Sequence, residues 1–118
     1  MKAIKLAFLG FLAAAPALAD SLPIGAANGA TGQVSVGTAA TLIAAARSGG
    51  VGVSRASITV TNTTGSDKLC VGFTNAVTTT TGECLPAIAG VSITLATTAA
   101  IYGVVPTTAQ VVSFLELF

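Results

Sequence analysis

Apolar side chains recur at every second position in short runs of this chain. Arg55–Asn62, "RASITVTN", shows the pattern best. Ala56, Ile58 and Val60 fall on one side; Arg55, Ser57, Thr59 and Thr61 fall on the other. Successive strand side chains point to opposite faces, so this period, with its β-branched bias, predicts a half-buried strand. Runs of this kind cannot close a core alone. Each must lay its apolar face on another sheet.

Further runs share the period. "QVSV" (33–36) places Val34 and Val36 together, and "VSITL" (91–95) does so with Val91, Ile93 and Leu95. "KLCVGF" (68–73) turns Leu69, Val71 and Phe73 inward and Cys70 outward. "AIYGVV" (100–105) reads as another strand, and "QVVSFLELF" (110–118) as the last. That last run is apolar on both faces, which suits a central strand or one whose second face meets another chain. Turn chemistry separates the runs: "TTGSD" (63–67), and a Thr-rich hairpin or loop, "TNAVTTTTGECLP" (74–86). "TAATLIAAARSGG" (38–50) supports two readings. Its alanines favour a helix capped by Thr38. The rival is a strand through Thr41–Ala44 followed by a loop, and the neighbouring strands favour it. The expected fold is all-β, a small antiparallel sandwich of jelly-roll or immunoglobulin-like kind.

The N-terminal part reads differently. Lys2 and Lys5 precede an apolar stretch from Leu6 to Ala15, then Pro16 and Ala17-Leu18-Ala19. A short positive region, an apolar core and small residues at the cleavage positions make a signal peptide. We expect cleavage after Ala19, with the mature chain starting at Asp20. The alternative for residues 1–19 is a retained membrane anchor. That stretch sits at the lower limit of the about 17–25 residues needed to span a bilayer. Residues 20–32, "DSLPIGAANGATG", read as an extended arm or linker, leaving 33–118 as one domain.

Charge excludes several functions. Beyond the leader the charged residues are Arg47, Arg55, Lys68, Asp20, Asp67, Glu83 and Glu116. Charged residues make up only 8% of the chain, and no basic patch exists to meet phosphates, so nucleic acid is not an expected partner. The chain has no histidine, which removes Ser-His-Asp and Cys-His arrangements and imidazole acid/base chemistry. No catalytic, cofactor or metal site is expected; the carboxylates are scattered, and "GGVGV" (49–53) leads into a strand and not a helix, unlike a nucleotide loop. Counting back in twos from Phe118 reaches Glu116, which would face lipid in a membrane barrel and argues against one. Two cysteines, Cys70 and Cys84, admit one pairing, and in an exported chain they point to a disulfide.

The succession "RASITVTNTT", "LCVGF", "VTTTTGECLPA", "GVSITL", "AAIYGVV" and "VVSFLE" resembles small β-sandwich virion proteins of bacteriophages, of the head decoration, cement or spike type. The likeness runs over Val34–Glu116 and is one of strands and turns. It implies a structural role for Arg55 and for Asn62, whose side chain would close a turn, and it carries over no binding residue. It implies a non-enzymatic subunit that binds the major capsid protein or another virion protein and self-associates, a trimer suiting a capsid axis. The expected subunit contact is Val111, Ser113, Leu115 and Leu117 on the last strand. The expected location is the virion surface, with membrane contact only through a retained leader. The alternative is a secreted or cell-surface bacterial adhesion or appendage subunit, exported to the periplasm or beyond.

Overall fold

A computed structural model describes residues 28–50 and 53–118. The leader and residues 20–27 of the arm lie outside the described residues. Eight strands form: β1 Gly29–Val36, β2 Thr41–Ala44, β3 Ser57–Asn62, β4 Leu69–Gly72, β5 Glu83–Leu85, β6 Val91–Leu95, β7 Ile101–Val104 and β8 Gln110–Leu117. No helix occurs among the described residues, so the strand reading of Thr41–Ala44 holds. The strands make two antiparallel sheets, ordered β1-β8-β3-β6 and β2-β7-β4-β5.

The pairing is nested. β4 pairs with β5, β3 with β6, β2 with β7 and β1 with β8. A long hairpin with β4–β5 at its tip has been rolled up, which is the jelly roll. Of the two sandwich types expected, the immunoglobulin-like one is therefore set aside.

Between the sheets lies one apolar core. Val36, Ile58, Val60 and Val112 come from the first sheet; Ile43, Leu69, Val71, Leu85 and Ile101 come from the second. Each is at an inward position of its strand, which is why the alternation in the sequence locates them. A smaller cluster lies on the far side of the second sheet. There Cys70 and Val104 are covered by Val77 from the loop between β4 and β5. The second sheet is thus buried on both faces at β4, where Cys70 is 0% exposed.

Three details depart from the expected pattern. β1 begins at Gly29, inside the stretch read as an arm. Its Gly-Ala composition hides it, and its pairing to β8 is held by backbone bonds that need no particular side chain. Gly32 leaves room for the ring of Phe114, its register partner, which a Cβ would approach to 2.8 Å. Arg55, expected on the outward side with Thr59, is buried, and Ala56, expected inward, is exposed. β3 starts only at Ser57, so the alternation does not extend back to these residues. Phe73 lies past the end of β4, where the chain leaves the sheet, and is 53% exposed.

Buried polar groups close both ends of the sandwich. At one end the Arg55 side chain is fully buried against Glu116, with Nη2 at 2.6 Å and Nε at 2.8 Å from Oε2. Its remaining N–H groups donate to the carbonyls of Ala45, Thr97 and Ala99. Arg47 donates to the other Glu116 oxygen at 3.1 Å and stacks on the Phe118 ring. At the other end Asn62 and Gln110 are buried. Asn62 Nδ2 donates to the Asp67 and Pro86 carbonyls, and its Oδ1 accepts from the Gly65 N–H. The side chain closes the turn, as expected. Gly65 sits at φ 71°, and a Cβ there would lie 2.1 Å from the Ala89 nitrogen. Gln110 Oε1 accepts from the backbone of Ser66 and Asp67. The Asp67 carboxylate accepts from the backbone N–H groups of Thr108, Thr107 and Lys68. Those bonds, Thr108 first, hold its pKa below the usual 3.8.

Two predictions follow from these ends. Arg55→Met and Glu116→Leu, made singly, each strand a buried charge and are expected to cost about 3–5 kcal/mol. Made together they are expected to fall short of the summed cost by roughly 1–3 kcal/mol in urea unfolding. Strict additivity would show that the pair is not coupled. Asp67 has a depressed folded pKa, so its stabilisation is complete well above 3.8 and fades as pH falls through the folded value. Asp67→Asn should therefore lower the melting temperature at neutral pH, with the gap to wild type closing on acidification below 3.8.

Candidate functional site

The register of the first sheet sorts its side chains into rows. Gly32, Phe114, Val60 and Ile93 make one inward row. The rows between them face outward: Thr31, Leu115, Thr59 and Thr94, then Gln33, Ser113, Thr61 and Ser92. This outer face holds no charged residue within its strands. Its hydroxyls bond to one another, Thr59 to Thr94 at 2.8 Å and Thr63 to Ser113 at 2.6 Å. Gln33 also donates to Ser113. With those groups paired laterally, fewer are left to hold water. Val111, Leu115 and Leu117 stand among them at 39%, 43% and 40% exposure.

All four residues expected to form a subunit contact, Val111, Ser113, Leu115 and Leu117, thus share this one outer face. β8 is central in its sheet, between β1 and β3, and its second apolar face is still uncovered. The two sheets differ in this respect. The loop between β4 and β5 covers the outer face of the second sheet over β4 and β7, leaving Leu42 of β2 exposed, and no described segment covers the first.

A second feature has no counterpart in the alternation of any single run. The sandwich is open along the side where the edge strands β5 and β6 face each other. A cleft of about 600 Å³ lies there, floored by Val71, Ile93 and Leu95 and walled by Phe73, Val77 and Glu83. It exists because β5 is only three residues long and cannot cover the inward face of β6. Val91, Ile93 and Leu95 are consequently only half-buried. Pro86 follows β5 directly.

Cys70 and Cys84 form a disulfide directly across the β4–β5 pair. It fastens the base of the loop that walls the cleft. A disulfide is the chemistry of an oxidising, exported setting. Thr78 orders the loop tip: its hydroxyl accepts from the Thr80 and Thr81 N–H groups, and its own N–H donates to Thr81 Oγ1. Among the described residues no three of His, Cys, Asp or Glu gather as a metal-binding group. Every buried side-chain nitrogen and oxygen among them has a hydrogen-bond partner.

The geometry defines a disulfide-pinned, eight-stranded jelly roll with one uncharged open face and one open side. Compared with known proteins, the chain matches no family model, no curated protein and no solved structure.

The disulfide generates a prediction. Reduction frees a loop of about fifteen residues, which the chain-entropy model values at about 3 kcal/mol. Hydrogen exchange with reductant should speed up through residues 73–82 while β3 and β8 stay protected. Loss of protection in β3 and β8 below the melting temperature would show instead that the bond holds the whole sandwich.

Proposed function

We propose that this protein is a non-enzymatic structural subunit of a virion, a decoration, cement or spike component. In this reading it binds the major capsid protein or another virion protein and associates with copies of itself. The observation that carries the reading is the outer face of β8. An interior strand of a small jelly roll leaves Val111, Leu115 and Leu117 exposed on a face without charges. Interface cores are poor in charge in the same way. The strand-and-turn likeness to phage virion proteins points the same way, and jelly rolls recur in viral capsid domains. Both are likenesses of fold, and one fold serves many roles. A closed ring suits the common symmetry of homo-oligomers, and a trimer would suit a capsid axis.

A secreted or surface appendage subunit of a bacterium is the second reading. The Cys70–Cys84 bond favours it, because capsid proteins that assemble in a reducing cytoplasm have little use for a disulfide.

The virion reading expects purified protein to sediment above monomer size and to pellet with capsids. Leu115→Lys with Leu117→Lys should leave the circular-dichroism spectrum unchanged and abolish both behaviours. A wild-type monomer that leaves capsids in the supernatant would overturn it.

A further inference from the structure

We propose that the cleft between β5 and β6 receives residues Leu22–Ala26 of a second copy as an added strand on β6. The cleft presents two unpaired strand edges above an apolar floor. Sheet edges are usually protected by bulges, charge, proline or shortness. β2 is short and bulged between Leu42 and Ala44. β5 has three residues, carries Glu83 and is followed by Pro86. β6, "VSITL", has neither charge nor proline, and its register on β3 is unbroken. β1 shares these traits, and β6 is the one of the two that borders the apolar cleft.

The occupant is argued from the arm. Leu22, Ile24 and Ala26 alternate with Pro23 and Gly25, so an extended arm offers three apolar side chains on one side. That matches the half-buried Ile93 and Leu95 and the buried Val71 on the floor. In a strand, neighbouring residues turn their backbone groups to opposite edges. The groups of Leu22, Ile24 and Ala26 can therefore pair along β6. Pro23 falls on the outer edge, where its missing N–H stops further addition.

Reach and direction favour a second copy over the same chain. Asn28 exchanges both backbone hydrogen bonds with Phe118, so the chain enters β1 in line with the strand. β1 lies at one edge of the first sheet and β6 at the other, about 14 Å apart at usual strand spacing. The end of the sandwich between them is filled by the Arg47, Arg55 and Glu116 cluster and the carbonyls it holds. Only Ala27 lies between a docked Ala26 and Asn28, about 7 Å of extended chain, too short to cross to the chain's own β6 and enough to reach a copy in direct contact. A head-to-tail contact of this kind closes into a ring or runs on as a filament.

This contact is separate from the β8 face, and one experiment keeps the two apart. The full chain carrying Leu22→Asp and Ile24→Asp keeps its cleft and loses its own arm as a ligand. A labelled peptide of residues 20–28 is titrated into it by fluorescence anisotropy, and its footprint is read from backbone amide shifts. Expected are saturable binding, shifts confined to β6 and residues 71–83, and at least a tenfold weaker affinity for the same peptide with aspartate at positions 22 and 24. Sedimentation is expected to show the arm variant smaller than wild type. Absence of binding, equal binding of the aspartate peptide, or a footprint elsewhere overturns the proposal. So does a wild-type chain that is no larger than the arm variant, which includes an arm that fills its own cleft. The Leu115→Lys, Leu117→Lys chain should bind the peptide unchanged if its own arm is also disabled. If that chain fails to assemble while no peptide binds to either variant, the β8 reading stands and the cleft proposal falls.

Discussion

The buried Arg55–Glu116 pair fastens segments from both sheets at one end of the sandwich. A chain with so few charges places two of them in its interior, at 0% and 3% side-chain exposure. Burying a guanidinium and a carboxylate costs several kcal/mol each unless every donor and acceptor is matched. Here the matching is complete, and it draws together segments distant in the chain. The guanidinium holds the chain just after β2 through Ala45, the β6–β7 connection through Thr97 and Ala99, and β8 through Glu116. The same bonds fix the parity of β8. A slip of one residue would turn Glu116 outward and put Leu115 and Leu117 inside, since strand side chains have period two. With Glu116 held in, Val111, Leu115 and Leu117 must face out. The exposed apolar face is therefore a consequence of the buried ion pair as well as of the apolar pattern.

The nested pairing sets how the chain reaches this state. Of the nested pairs only β4 and β5 are near neighbours in sequence, their bonded cysteines separated by 14 positions. β1 and β8 join the chain's distant parts, as Gly29 opposite Leu117 shows. Loop-closure entropy makes such pairings slow to form, and they gain from inner pairs already in place. A disulfide at the innermost pair stabilises the shortest hairpin and leaves the outer pairs to packing and to the Arg55 cluster. The turn residues complete the roll. Asn62 and Gly65 turn the chain from the first sheet to the second, and Asp67 ties that turn to the β7–β8 loop through Thr107 and Thr108.

How much of this was legible in the sequence follows from which signals are local. Alternation is local, so β6 and the inward sets of β3 and β8 could be read directly. The fold class and the single possible cysteine pairing followed from the same kind of reading. The start of β1 could not, because Gly-Ala-Thr-Gly carries no strand preference and owes its conformation to β8. Arg55 was misplaced because alternation was extended past a strand end that the sequence does not mark. Glu116 stood in phase with Val112 and Phe114 and was legible as an inward carboxylate only by asking what could neutralise it. The cleft was illegible for a different reason. It arises from a difference in length between two strands in different sheets, and no single run contains it.

The two sheets divide their exposure unequally, and this bears on what the molecule does. The second sheet is covered over β4 and β7 by its own disulfide-bound loop, with Val77 over Cys70 and Val104, while Leu42 at the β2 edge stays 45% exposed. The first sheet has no such cover among the described residues, although its strands include the longest, β1 and β8. A soluble monomer that had to hide apolar surface would gain most by covering the sheet that is most exposed, or by studding it with charge. This chain does neither on β8, and on β6 it leaves an edge without the usual protection. Both omissions fall on the first sheet, on surfaces that face different directions. One binding event could cover only one of them. Two different contacts, one at the β8 face and one at the β6 edge, would be needed to cover both.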